Sequence, residues 1–580
     1  VKFSSSHKSL VPAVLALLIL GLYYAYGWVR AKGYVFGLGV PTVLSLGSSE
    51  CSFMFFYVAC AAYVSALISL FFVFRRGAAE KLWSVAVRIL TLKFFPAAAV
   101  VLGFMSMVLV RFFLFERFPL TDDENVYVFV AKTLLAGRLN NPAPDFYELF
   151  KYPLMIVDQH QWLGQYTIGH PLFLALGLLT GLLDFITPLT SAGTLLLIYF
   201  IARDQFDAKI AAIALFLAVL SPQFILTGGT LLGYPTAAFC SALMIFSALR
   251  LHSSGKWRWT FLFSLASLLL ILNRPQSWLC VGVSLGVFFL VISIQDRDRG
   301  SWRTIGAGLA VALLSIGMFF LVNYGQTGDP FTTVQSVFLE HWGQGRGIGF
   351  YVAGLWGIHT PEKAAANLLL NLIRQNIWLL GWPFSFVFML FVPGGRFVGF
   401  LLGWGLTHWA FYAYFSSPGI NLTGPVYYYE MILPEVILSA CGIVHLYGTC
   451  RKYLVNSRVH TSIPAVIFSF YIVSFLMFSP VVLTSLREIA LVSSAVYRTL
   501  DENQVHNAVI FANSIVPDNQ YNWVFSPYVS GPNPDREDRI FALWPRTDEI
   551  MERFLQKYPN RQVWGVRLDK EKRLIVSRLK

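Results

Sequence analysis

Three consecutive carboxylates, Asp122, Asp123 and Glu124, stand in the segment Phe118-Pro-Leu-Thr-Asp-Asp-Glu-Asn-Val-Tyr127, just after an apolar run that ends near Arg111 and Arg117. Like charges this close raise one another's pKa and call for a cation, a metal or a shared proton. Two chemistries suit them. One carboxylate could take a proton as a general base, or Asp122, Asp123 and Glu124 together could offer hard oxygen ligands to Mg2+ or Mn2+. A structural role competes with both, because Thr121 can cap a helix whose first turn favours acidic residues. Downstream, Tyr127, Ala131, Leu134 and Leu135 recur at near-helical spacing. That pattern predicts an amphipathic helix lying along a membrane surface, with the acidic run where a lipid headgroup would arrive.

The same polar segment continues through Tyr152-Pro153 and Asp158 to His160, Gln165-Tyr166 and Gly169-His170-Pro171. A lone histidine is usually structural, but two in one segment with the carboxylates make a binding site plausible.

Lipid is the solvent of the elements that must position these residues. The chain has 580 residues, of which 56% are hydrophobic and only 13% charged, and its mean hydropathy is +0.60. No water-soluble fold of this length hides that much apolar surface. Continuous apolar runs without strict alternation select helices, the element that satisfies its own backbone in hydrocarbon. Taking the runs as spans gives helices over 10–28, 51–74, 94–115, 188–203, 208–226, 233–251, 258–273, 276–294, 304–323, 376–392, 397–416, 430–448 and 463–484, about 13 crossings. The first, Leu10 to Trp28, is too long for the apolar region of a signal peptide and reads as a retained span.

A net charge of +13 would suit a nucleic-acid binder, but Lys and Arg fall in short clusters between the apolar runs. This is a topology signal, and no nucleic-acid partner is expected. Four clusters share one side: Arg75, Arg76, Lys81 and Arg88; Arg250, Lys256 and Arg258; Arg297, Arg299 and Arg303; Arg451, Lys452 and Arg458. The positive-inside rule makes that side cytoplasmic. Crossing parity then requires Pro171 to Ile186 to dip into the outer half of the membrane and return, and places the polar segments 115–187, 323–363 and 485–580 outside. The chain divides into a two-helix appendage over 1–92, a transmembrane catalytic region over 93–484 and an extracytoplasmic domain over 485–580. Strand-like runs at Ala508 to Ala512, Trp523 to Ser526 and Gln562 to Val566, with a helical pattern over Thr547 to Lys557, predict a small α/β fold for the last. The six cysteines show no CxxC and no Cys/His ligand spacing, so they read as free thiols with neither disulfides nor zinc.

Asp123-Glu-x-x-Tyr127, followed by Ala131-x-x-Leu-Leu-Ala-Gly137 and then Gly169-His-Pro-Leu172, resembles the first outer loop of the GT-C superfamily of membrane glycosyltransferases, in the branch of protein O-mannosyltransferases and lipid A aminoarabinose transferases. The similarity continues through Tyr199-Phe-Ile-Ala-Arg203, Ser221-Pro222, Gly228 to Pro235, and Tyr427-Tyr-Tyr-Glu430-x-x-x-Pro434. The resemblance implies an all-α polytopic fold of the GT-C type and a polyprenyl-phosphate-linked sugar as donor. It implies catalysis by an acid of this loop, here Asp123 and Glu124, with Asp122 beside them. The acceptor would be a hydroxyl of a glycan, lipid or protein, and the setting a bacterial plasma membrane with the site on its outer face. The sequence also departs from the pattern. Several relatives carry an Asp where Gly233-Tyr234-Pro235 stands, which weakens a metal bridging two loops. No Lys precedes Pro171, and the WWD signature of oligosaccharyltransferases is absent.

A departing lipid phosphate needs positive charge or donors. Arg274, in Leu272-Asn-Arg-Pro275, sits at an outer helix end against the positive-inside bias, although an arginine there can also snorkel to headgroups. Arg346, in His341-Trp-Gly-Gln-Gly-Arg-Gly347, is the second candidate, with Glu340 and His341 beside it. Tyr428 and Glu430 would close a site that His160, Gln165, Tyr166 and His170 also line. The expected reaction is inverting displacement at the anomeric carbon. Two other readings remain in view: a transporter or lipid flippase, which would place ionisable groups near the midplane of repeated halves, and a ligase using a diphosphate-linked glycan.

Overall fold

A computed structural model describes residues 59–68, 76–296, 299–341, 347–354, 357–453, 459–512, 531–568 and 574–580. The expected span over 10–28, most of that over 51–74, the strand Trp523 to Ser526, and Arg346 lie outside them.

The chain is an integral membrane protein of many passes. Among the described residues, seven helices are long and apolar enough to cross a bilayer: Phe95–Leu114, Leu183–Gln205, Tyr234–Ser254, Pro275–Asp296, Gly300–Thr327, Val426–Cys450 and Val466–Glu502. Ala208–Val219 and Pro222–Gly228 add up to an eighth crossing, bent by 61°, where Pro222 starts a new helix on a Ser221 cap. Trp257–Asn273 has 17 residues, about 25 Å of helix against a hydrocarbon core of about 30 Å.

Two expected spans differ. The stretch 376–392 is not one crossing: the helix Pro361–Leu380 stops at Gly381, whose φ of 65° is a left-handed C-cap, and Ser385–Phe391 continues only as a 3-10 turn. The span expected to end at 484 runs on as helix to Glu502, so the last domain begins beyond it. In the stretch expected to dip, 171–186, the helix Gly169–Thr180 is about 18 Å long, shorter than a hydrocarbon core of about 30 Å. Gly181, at φ 70°, turns the chain into the next span.

After Glu502 a four-stranded sheet forms in the order Arg539–Leu543, Ala508–Ala512, Gln562–Leu568, Leu574–Arg578. The first three strands are parallel and the last antiparallel. All five residues of Ala508–Ala512 are buried, as a central strand covered on both faces must be. The helix Asp548–Lys557 packs on it through Phe554.

The helix Asp122–Leu135 corrects the amphipathic expectation. Nine of its 14 residues are buried, because it lies between two cores. Tyr127, Val128 and Ala131 join the membrane bundle. Val126, Phe129 and Val130 join a second core with Trp162, Val509, Phe541 and Val566 from the loop after the helix and from the C-terminal domain. Tyr152, itself buried, ties these layers by donating its hydroxyl to the Phe541 carbonyl at 2.6 Å.

Candidate active site

Glu124 and Asp123 are neighbours with different surroundings. Glu124 is fully buried. Its Oε1 accepts the Leu120 N–H at 3.1 Å, reaching back as the third-position acid of a capping box does. Its Oε2 accepts the Leu231 N–H at 2.7 Å, and Arg111 Nη1 stands 3.9 Å away. Burial raises its pKa while Arg111 and the two N–H groups oppose the rise. Arg111 is itself buried, bonded to Asp184 at 2.9 Å and to the carbonyls of Arg117 and Phe118. It thereby fixes the turn at Glu116 and Arg117, both at positive φ, that feeds the acidic helix.

Asp123 is half-buried and accepts a short hydrogen bond from the Tyr166 hydroxyl. Removal from water pushes its pKa up, and the Tyr166 bond pulls it down. Gln165, buried, donates to the same Tyr166 oxygen at 3.0 Å, and the Tyr166 ring stacks on Tyr127 at 4.2 Å. Asp122 is half-buried on the same turn.

His170 takes the structural role. Its Nε2–H donates to the Leu231 carbonyl at 2.8 Å, and its Nδ1 accepts from the Thr236 hydroxyl at 2.9 Å. Glu124 and His170 thus grip the two polar backbone groups of Leu231, the residue two before Gly233-Tyr234-Pro235.

Arg274 sits in a corner cut by sequence. Pro275 begins the next helix, so Arg274 caps Trp257–Asn273 in extended backbone. Gly169 makes room for this corner: a Cβ there would lie 2.3 Å from the Asn273 nitrogen. Thr167 donates to the Asn273 carbonyl at 3.1 Å, and Asn273 donates to the Gly233 carbonyl at 3.1 Å. The Arg274 guanidinium is buried over the rings of Tyr234 at 4.4 Å and Tyr427 at 5.2 Å. Its Nη2 donates to the Tyr412 hydroxyl at 2.5 Å. Its Nε stands 3.8 Å from Glu430 Oε1 and has no hydrogen-bond partner. Glu430 is held below by the hydroxyls of Ser241, at 2.7 Å, and Ser277. Tyr127 links the two halves, because both Asp123 and Arg274 act electrostatically on its phenol.

The arrangement therefore brings together Asp123, Gln165, Tyr166, Arg274 and Glu430, with Tyr428 behind them against Trp409 at 3.9 Å. His160 stands apart, exposed on the turn where its N–H bonds Asp158. Glu340 and His341 are exposed on another helix. The acidic run does not form one oxygen set for Mg2+ or Mn2+, since Glu124 turns inward onto N–H groups while Asp123 meets Tyr166. Among the described residues no group of three His, Cys, Asp or Glu side chains is disposed to hold a metal ion. Sequence reasoning missed Tyr412 and His408, whose signal was polar groups four residues apart inside an apolar run.

No protein-family model matches the sequence, and no curated protein matches it. Solved structures do. ArnT from Cupriavidus metallidurans bound to undecaprenyl phosphate superposes with a TM-score of 0.51 at 14% identity, over 86% of this chain and 98% of that one. The two chains share a fold. The apo ArnT structure agrees, with a TM-score of 0.51 at 16% identity over 85% and 94% of the two chains. The Archaeoglobus fulgidus oligosaccharyltransferase is more distant, with a TM-score of 0.45 at 13% identity over 82% and 70%, and adds nothing to the assignment. Within this fold the acidic helix, the helix Gly169–Thr180 and the Arg274 corner all meet at one end of the bundle, beneath the C-terminal domain.

Proposed function

We propose that the protein is a glycosyltransferase that moves a monosaccharide from a polyprenyl-phosphate donor to an acceptor hydroxyl. The observation that carries this reading is the buried Arg274, with an unbonded Nε–H, in the same tyrosine cluster as Asp123. A guanidinium so placed suits a lipid phosphate, and ArnT, which shares the fold, binds undecaprenyl phosphate. Asp123 takes the proton of the acceptor hydroxyl, whose oxygen attacks the anomeric carbon. The bond from that carbon to the phosphate oxygen breaks, its electron pair leaves with the phosphate, and Arg274 stabilises the added charge. Attack opposite the leaving group inverts the anomeric centre. Glu124 acts through position, by fixing the turn at Leu231. We assign the acidic-helix end to the outer face of a bacterial plasma membrane, since Arg250, Lys256, Arg258 and Arg303 lie at the other end of their helices.

The test is thin-layer analysis of products from membranes given a radiolabelled polyprenyl-phosphate monosaccharide. Transfer with release of free polyprenyl phosphate is expected, abolished in Asp123→Asn. A transporter would move label without releasing the lipid phosphate, and full activity in Asp123→Asn would remove this carboxylate from the chemistry.

A further inference from the structure

Beneath Arg274 lies a residue that the reaction does not use. His408, on the helix Arg396–Ala413, is fully buried. Its Nε2 lies 2.8 Å from the Tyr427 carbonyl. A carbonyl only accepts, so Nε2 carries the proton. Nδ1 has no hydrogen-bond partner, so the Nε2–H bond to Tyr427 is the one hydrogen bond the ring makes. Its face packs against Tyr412 at 4.8 Å, one turn further along the same helix.

Both residues that His408 holds are among the three tyrosines that hold Arg274, the third being Tyr234. Tyr412 supplies the hydroxyl bonded to Nη2, and Tyr427 lies under the guanidinium while its ring, tilted by 33°, packs at 4.8 Å against Tyr412. Glu430 is the nearest counter-charge, but at 3.8 Å and without a hydrogen bond to Nε it leaves the guanidinium free to turn. The direction in which Nε–H points is therefore set by the tyrosine pair.

We propose that His408 is a positioning residue for the phosphate site: by bonding the Tyr427 backbone and bracing the Tyr412 ring it aims Arg274 at the donor phosphate. This rests on the assignment of Arg274 to that phosphate. The consequence is specific to one ligand. Loss of the His408 hydrogen bond weakens donor binding, and does so only while Arg274 is present.

Undecaprenyl phosphate binding to the full-length protein in nanodiscs tests this without turnover. His408→Phe, which keeps the ring and loses the donor, is expected to weaken binding about tenfold, the upper scale of one neutral hydrogen bond. His408→Gln, whose amide can still donate, should return to within about threefold of wild type. Tyr412→Phe should match His408→Phe and remain testable even if the latter folds poorly. In an Arg274→Gln background, His408→Phe should add nothing further. Wild-type binding in His408→Phe with weakened binding in Arg274→Gln overturns the role of His408 and leaves the phosphate site standing. Additive losses, or no rescue by Gln, overturn it as well and mark His408 as ordinary packing. Wild-type binding in Arg274→Gln removes the phosphate site and the His408 role with it.

Discussion

Tyr166→Phe isolates the hydrogen bond that tunes the proposed base. The ring stays stacked on Tyr127 at 4.2 Å, so packing is kept, while Asp123 loses its hydroxyl donor. A hydrogen bond to a charged group contributes about 1.5–3 kcal/mol. At about 1.4 kcal/mol per pKa unit, its removal raises the Asp123 pKa by about 1–2 units. The sign is set by which form the bond favours. Tyr166 stabilises the carboxylate and opposes the upward push of burial, so without it protonation begins at higher pH. A general base works ionised, so kcat/KM falls as pH drops through this pKa. The acid limb of the profile should therefore move up by about 1–2 pH units in Tyr166→Phe, with the plateau at higher pH retained. The assay is initial-rate sugar transfer across buffers from about pH 5 to 9, bracketing such a limb. An acid limb that does not move would refute the assignment of Asp123 as the base.

Three further outcomes follow from the packing. Glu124→Gln cannot accept both the Leu120 and Leu231 N–H groups as the carboxylate does, and it leaves Arg111 less compensated. It should lose about 2–4 kcal/mol of stability, seen as a lower Tm in detergent, whereas Asp123→Asn keeps its Tm. Gly169→Ala drives a methyl to 2.3 Å from the Asn273 backbone. It should cost about 1–3 kcal/mol by overpacking and cut transfer at least tenfold by moving the Arg274 corner, measured by Tm and initial rate. Removing the sheet domain after Glu502 uncovers Phe146, Phe150 and Tyr152, so the truncated protein should aggregate on size-exclusion chromatography instead of running as a smaller monodisperse species.

Much of this was legible in local chemistry. The strand Ala508–Ala512 and the Arg274 corner follow from β-branched runs and from Asn-Arg-Pro. What was not legible depends on partners far along the chain. Asp123 and Glu124 are indistinguishable as letters, and Glu124 faces inward because Leu231, 107 residues away, offers its N–H. The acidic helix looked amphipathic because spacing along it does not register that its second face is covered by Trp162 and Gly164 of the following loop and, behind them, by the sheet beyond Glu502. The stretch 376–392 looked continuous because hydropathy does not register that Gly381 adopts a positive φ. His408 and Tyr412 hid in an apolar run whose lipid-facing neighbours set its average.

The double covering of the acidic helix has a bearing on how the molecule is made. Tyr152 and its bonding partner in the sheet are separated by 389 residues, and translation is vectorial. The helix bearing Asp123 is thus synthesised early, with one apolar face buried by the bundle and the other under the strand carrying Trp162, whose own outer neighbours Phe150 and Tyr152 stay bare until the sheet domain has been translated. Contacts of such long sequence separation form slowly. The layer over the acidic helix is therefore completed at the end of biogenesis, after the membrane helices have been made, and a chain arrested before that point would present Phe150 and Tyr152 as a sticky apolar face.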